Sequence, residues 1–186
     1  MGVMREALTR LEGDGLVESE PQFGFRVVTV SADNLRYLTE ARCAVETLVM
    51  RGSIEHGDIA GESEVLAAHH RLDRTPQTAT DDPSRLSEEW ATAHAEFHLA
   101  LLAGCPNPFL LGTAVSLRAS AELYRRWSMP KSFTERDIPA EHRAIVDAVL
   151  AHDAGTASIL LAAHIQRTTD LLLHHAESAP GETHSH

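Results

Sequence analysis

Residues 84–103 read SRLSEEWATAHAEFHLALLA, and this stretch decides the fold. Trp90, Phe97 and Leu101 are spaced so that their side chains share one face of an α-helix. His94 and His98 lie four residues apart, so both imidazoles border that apolar face. The stretch therefore predicts an amphipathic helix that turns its apolar side, and two histidines, toward a protein core.

The same periodicity continues on both sides of this helix and predicts about six helices in all. Ser31 is expected to cap the first long helix, and Pro139 is expected to bend the fifth. The predicted helices cover residues 31–57, 61–74, 84–103, 109–127, 134–152 and 156–176. Because the loops between them are short, the sequence predicts an all-α, antiparallel helical bundle over residues 31–176. The polar tail, residues 177–186, is expected to be disordered.

Residues 1–30 follow a different pattern. Arg5 to Leu11 is predicted to be a helix, with strands at Leu16 to Ser19 and Phe25 to Val30. A turn over residues 21–24 would join the strands. Helix, strand, turn and strand make up the second half of a winged helix, so these residues are predicted to be a partial DNA-binding domain.

Composition and charge limit the function classes. The 186 residues carry a net charge of -11, which does not suit a general nucleic-acid binder, so any DNA contact needs a local surface. No apolar run approaches the roughly 20 residues of a membrane span. No signal peptide is evident, and Cys43 and Cys105 show neither metal nor redox spacing. A cytoplasmic protein is the simplest expectation.

Histidine is abundant, with 12 residues, and two more histidines continue the pattern of His94 and His98. His142 and His164 lie on the apolar stripes of the fifth and sixth predicted helices. Four histidines on three helices are thus predicted to face one interior, where a shared divalent cation would satisfy their ring nitrogens. The alternative is that each is an ordinary hydrogen-bonded histidine of the core. A ferritin-like di-iron site is excluded because no Glu precedes these histidines by three residues.

Arg42 lies between Leu38 and Val45 on the apolar stripe of the first long helix. Glu46, one turn later, could pair with it. Either the arginine stem lies along the core with its head in solvent, or the guanidinium grips the carboxylate of a ligand beside the metal.

Together these features resemble the GntR family of bacterial transcription regulators, in the FadR-like branch with an FCD sensor domain. Residues 5–17 resemble the family's recognition helix and first wing strand, and Gly24 falls at its wing-tip glycine. Residues 42–46 are similar to an Arg-x-x-Leu-Glu motif. Residues 94–98 are similar to an Asp-x-x-Phe-His segment, and residues 141–148 to a further signature.

The resemblance implies a metal held by one Asp and three His, which correspond to His98, His142 and His164. His94 stands at the Asp position here. An all-imidazole set favours Zn²⁺ or Ni²⁺ and leaves the metal charge uncompensated, which should strengthen the attraction of a small carboxylate effector. Arg42 is expected to hold the other end of that effector.

The resemblance also implies a homodimeric regulator that binds operator DNA, with Arg5 and Gly24 in its DNA-binding segment, and no enzyme activity. The family's winged helix has two helices before the recognition helix, whereas this sequence starts within the third. Operator binding is therefore expected only if the winged helix is complete. Two alternatives stay open: a metal-dependent enzyme with a histidine-rich site, and a sensor that has no role in DNA binding.

Overall fold

The computed structural model describes residues 4–6, 8, 17–20, 24–27, 31–82, 85–127 and 136–178. Six long helices lie in these ranges: α1 (Ala32–His56), α2 (Ile59–Arg74), α3 (Glu88–Leu102), α4 (Pro108–Trp127), α5 (Ile138–Leu150) and α6 (Ala154–Ser178). Helix α1 packs against α6 and α4, while α2 packs against α3 and α5, and α5 packs against α6. This all-helical bundle confirms the predicted fold class.

Polar side chains begin the helices, as their sequence positions suggest. Ser31 Oγ accepts a hydrogen bond of 3.0 Å from the Asn34 amide, which confirms the predicted cap of α1. Asp58 and Ser87 cap α2 and α3 in the same way. Each cap satisfies a backbone N–H that the first helical turn leaves unpaired.

Two predicted helix starts are wrong. Helix α3 begins at Glu88 because the backbone of residues 85–87 bonds across the preceding loop: Ser87 N donates to Gln77 O at 2.9 Å, and Ala79 N to Arg85 O at 2.9 Å. Helix α5 begins at Ile138, so Pro139 lies in the first turn, where its missing N–H costs nothing and it causes no bend. At its other end, His152 adopts a left-handed conformation with a φ of 53° just beyond α5.

The N-terminal segment contains an antiparallel pair of strands, β1 (Val17–Glu20) and β2 (Gly24–Val27). This pair confirms the two predicted strands. Strand β1 ends one residue later than predicted and β2 begins one residue earlier, while residues 16 and 28–30 lie outside the described ranges. Gly24 has a φ of 98°, a conformation that favours glycine and suits a turn into a strand. Residues 4–6 and 8 are helical, as predicted, and the rest of that helix is not described.

The core is centred on the apolar faces of α1, α3, α5 and α6. Its most completely buried large side chains include Met50, Phe97, Leu101, Ile145 and Leu161. Both cysteines are free, Cys105 being buried and Cys43 half-buried. Among the described helices, none combines the length and apolarity that crossing a membrane would demand. Helix α6 reaches Ser178, two residues into the predicted tail, and residues 179–186 are not described.

Candidate metal centre

The structure brings together the four histidines that the sequence singles out. His94 and His98 come from α3, His142 from α5 and His164 from α6. Each offers one ring nitrogen, and these four atoms all lie within 4.8 Å of one another. We call this group the histidine cluster.

Helix geometry and aromatic packing position three rings of the histidine cluster, two on α3 and one on α5. The Nε2 atoms of His94 and His98 are 3.2 Å apart, since residues four apart lie over one another on a helix. Trp90 stacks on His94 with ring centroids 4.8 Å apart, and Phe97 lies 5.0 Å from the ring of His142. These contacts restrict the rings to orientations that face the cluster.

The cluster fits the requirements of a divalent cation. His98, His142 and His164 are at most 5% exposed, and His94 is half-buried. Within the described part of the chain, His98 Nδ1 and His142 Nε2 are buried without a hydrogen-bond partner, which is costly, and a metal can bind one nitrogen of each ring. Zinc binds imidazole nitrogen at about 2.0–2.1 Å, so two ligands stand at most about 4.2 Å apart. Shifts of less than about 1 Å would therefore close the cluster on an ion.

Burial keeps the three buried histidines of the cluster in the neutral form that binds metals. Loss of solvation lowers the pKa of His142 to about 2 and that of His164 to about 4. The pKa of His98 is also held well below its ordinary value, by burial first and then by the nearby Arg118 and the other imidazoles. A neutral imidazole keeps the lone pair that a metal needs.

Glu141 orients one ring of the cluster, a role that the sequence does not reveal. Its Oε2 lies 2.9 Å from His164 Nδ1, and Arg136 and Arg167 also donate to this carboxylate. Although burial alone would raise the pKa of Glu141, these hydrogen bonds hold it well below its usual range. Arg136 Nη2 also lies 3.1 Å from the same Nδ1. Because Glu141 and Arg136 engage Nδ1, Nε2 is the nitrogen of His164 that is left for a ligand, as in many metal centres.

Arg42 forms an ion pair beside the cluster. Its Nε donates to Glu46 Oε1 at 2.6 Å, and Arg118 of α4 donates to Glu46 Oε2 at 2.9 Å. The contact between Arg42 and Glu46 confirms the predicted pairing along α1, and the Glu46 carboxylate is completely buried. The described residues provide no partner for the terminal Nη nitrogens of Arg42, so they are available to an anion.

A small cavity separates Arg42 from the histidines. It has a volume of about 40 Å³, and its lining includes His94, His98 and His164 together with Arg42 and Arg118. This exceeds the ~10–15 Å³ that one water molecule requires, so a group of a few atoms fits. Glu122 also lines this cavity, and no motif or spacing in the sequence singles it out. We call it the arginine cavity.

The remaining predicted residues lie elsewhere. Arg5 is exposed on the N-terminal helical residues, and Gly24 begins β2, so neither is part of the cluster. Glu96, on the same helix as His94 and His98, pairs with Arg71 of α2 at 3.8 Å. His152, near a helix end, pairs with Glu62 at 3.0 Å.

Comparison with known proteins points to one family. Residues 37–167 match the FCD domain. The chain is 33% identical over 171 residues to the HTH-type transcriptional regulator BphR of Paraburkholderia xenovorans, which covers 92% of this chain and 70% of BphR. It is 31% identical to the HTH-type transcriptional repressor GlaR of Escherichia coli, covering 89% of this chain and 76% of GlaR.

Solved structures share the fold. A GntR-type regulator from Rhodococcus sp. RHA1 superposes with a TM-score of 0.71 at 24% identity, covering 93% of this chain and 80% of that one. McbR/YncC of Escherichia coli gives a TM-score of 0.73 at 17% identity, with 91% and 83% covered. At these identities the likeness concerns the fold alone.

Proposed function

This chain belongs to the GntR family of transcription regulators, in the FadR-like branch with an FCD domain, and we propose that it is a metal-dependent sensor of a small carboxylate. The relatives are regulators, so the enzyme alternative is set aside. The metal would be held by His94, His98, His142 and His164. The observation that carries the proposal is the convergence of these four ring nitrogens in a buried site.

The chemistry of the ligands selects the metal. Four neutral nitrogen donors suit Zn²⁺ or Ni²⁺ better than Mg²⁺ or Mn²⁺, which favour oxygen donors. Such a cation supplies uncompensated positive charge at the wall of the arginine cavity. That charge favours an anionic effector over a neutral one.

The arginine cavity supports a carboxylate as the effector. Two guanidinium groups line it, and the Nη atoms of Arg42 form a fork that matches the two oxygens of a carboxylate. At about 40 Å³ the cavity accommodates a small acid and not a bulky one. The effector would therefore lie between Arg42 on α1 and the histidines on α3 and α6.

Such a ligand would couple the bundle to the N-terminal segment. Helix α1 carries Arg42 and begins at Ala32, shortly after β2 ends at Val27. A ligand that binds one position of α1 more tightly shifts the population toward that position. We expect the shift to reach the winged-helix segment, including Arg5 and Gly24, in a homodimer on operator DNA.

Thermal unfolding of the Zn²⁺-loaded chain with a panel of small mono- and dicarboxylic acids tests this proposal. At least one acid should raise the melting temperature, and Arg42→Gln should abolish the increase. Arg36→Gln is the matched control, because Arg36 is an exposed arginine of the same helix that pairs with Asp33 at 2.9 Å. If no acid shifts the unfolding of the loaded wild-type chain, the carboxylate proposal is wrong.

A further inference from the structure

A second cavity reaches the histidine cluster from α2. It has a volume of about 210 Å³, several times that of the arginine cavity. Its wall includes His142, a member of the cluster, and Trp90, which stacks on His94. One ring of the cluster therefore forms part of the wall of this cavity, which we call the acidic cavity because of Asp73.

Two side chains of α2 give the acidic cavity the means to bind a metal. His69 and Asp73 are four residues apart, so they lie on one face of α2, and both line the cavity. Burial lowers the pKa of His69, which keeps its imidazole neutral and able to coordinate. Imidazole and carboxylate are both ligands of Zn²⁺.

These two residues do not complete a permanent site. In the part of the chain that the structure describes, the histidine cluster is the only group of three or more ligands close enough together to hold an ion. Coordination by His69 and Asp73 would involve fewer protein ligands than the four of the cluster. An ion held there would consequently pass on to the stronger site.

The charges of the two cavities are opposite. The acidic cavity is lined by Asp73 and by no lysine or arginine among the described residues, whereas Arg42 and Arg118 line the arginine cavity together with Glu122. Beyond the lining, Asp147 and Arg143 act on His69 with opposite signs. A cavity lined by one sign of charge concentrates ions of the other sign and raises their rate of association.

We infer that the metal reaches the cluster through the acidic cavity, with His69 and Asp73 as transient uptake ligands, while the anionic effector uses the arginine cavity. The inference rests on the metal site proposed above. Because His142 belongs to both the acidic cavity and the cluster, its ring is the point at which the ion changes ligands.

Stopped-flow mixing of the full chain with Zn²⁺ and a competing fluorescent chelator measures the association rate. Asp73→Asn and His69→Ala should each lower the association rate constant about tenfold, the lower end of typical electrostatic focusing effects. The dissociation rate should fall in parallel, so the equilibrium affinity should stay nearly unchanged. His70→Ala is the matched control, being an exposed histidine that does not line the acidic cavity.

Each outcome bears on the inference. Slower association at unchanged affinity in both variants, with normal rates in His70→Ala, supports it. Unchanged association in both variants overturns it, and so does a loss of affinity through faster dissociation, which would make these residues permanent ligands. A wild-type chain that binds no Zn²⁺ overturns both the proposed function and this inference. If the wild-type chain binds Zn²⁺ but the variants associate with it at an unchanged rate, only the inference fails.

Asp73 is exposed and the asparagine is nearly isosteric, so folding should be preserved in that variant.

Discussion

His164 differs from the other histidines of the cluster because a carboxylate fixes its ring. Glu141 Oε2 lies 2.9 Å from its Nδ1, and the carboxylate is itself held by Arg136 and Arg167. This arrangement engages Nδ1 and limits rotation of the ring. A metal ligand prepared in this way loses less entropy when it binds.

We therefore predict that Glu141→Gln weakens Zn²⁺ binding by about 10- to 100-fold, the usual effect of removing such an outer carboxylate. The amide keeps the size of the side chain and removes its charge. Competition titration against a chelator measures the affinity. Glu96→Gln is the control, since Glu96 lies on α3 between two cluster histidines but pairs with Arg71. Equal affinities for wild type and Glu141→Gln would refute the role given to this carboxylate.

The buried histidines also predict how the stability of the metal-free chain depends on pH. The pKa of an unfolded histidine is about 6.5, whereas burial lowers that of His142 to about 2 and that of His164 to about 4. Above about pH 6.5 both states are neutral and stability is at its full value. Below it the unfolded chain binds protons that the folded chain cannot, so stability falls by about 1.4 kcal/mol per pH unit for each such histidine.

Urea unfolding at pH 7.5 and 5.5, in the presence of a chelator, measures this effect. The loss of unfolding free energy on acidification should be smaller in His142→Gln than in wild type. His56→Gln, which alters an exposed histidine near the end of α1, should behave as wild type does. An identical pH dependence in wild type and His142→Gln would contradict the burial argument.

The sequence identified the cluster but not its surroundings. Helical spacing was enough to place His94, His98, His142 and His164 on interior faces, because periodicity reports which face a residue occupies. Glu141 and Glu122 were missed since their roles depend on contacts between helices. Periodicity within one helix carries no information about which partner faces a side chain across the bundle.

At the scale of the elements, the helices were predicted better than their first turns. The apolar stripes fixed the existence of all six. The starts of α3 and α5 were wrong because the backbone of residues 85–87 bonds to the loop and because Pro139 fits an opening turn. Loop hydrogen bonds between residues 77 and 87 are not encoded in any apolar pattern.

Two glycines give a paired prediction about helix packing. A Cβ at Gly104, just after α3, would lie 2.8 Å from the backbone oxygen of Ser53, whereas one at Gly112 in α4 would meet nothing within 4 Å. We expect Gly104→Ala to destabilise the fold by about 1–3 kcal/mol through overpacking. Gly112→Ala should stabilise it by up to about 1 kcal/mol through helix propensity. Chemical denaturation of both variants measures the sign of each change in the free energy of unfolding. If Gly104→Ala leaves that free energy unchanged, α1 and the end of α3 are loosely packed.

At the scale of the whole molecule, the cluster ties together helices that are distant in sequence. Its ligands come from α3, α5 and α6, and α1 contributes Arg42 beside them. A metal that binds only the folded chain stabilises all these contacts by mass action. At a free concentration one hundred times Kd, the gain is about 2.7 kcal/mol.

Zn²⁺ should consequently raise the melting temperature of the chain by several degrees, and a chelator should reverse the increase. Mg²⁺ at the same concentration should have little effect, because imidazole donors do not suit it. Scanning calorimetry provides the measurement. A larger shift with Mg²⁺ than with Zn²⁺ would contradict the assignment of an all-nitrogen site.

The metal content of the purified chain, measured by mass spectrometry beside the double variant His98→Ala/His142→Ala, tests the central claim most directly. We predict about one Zn²⁺ or Ni²⁺ per wild-type chain, as a single four-ligand site requires, and essentially none in the double variant. If the wild-type chain holds no metal even after loading with either ion, or if the double variant retains it, the histidine cluster is structural and the sensor mechanism is wrong.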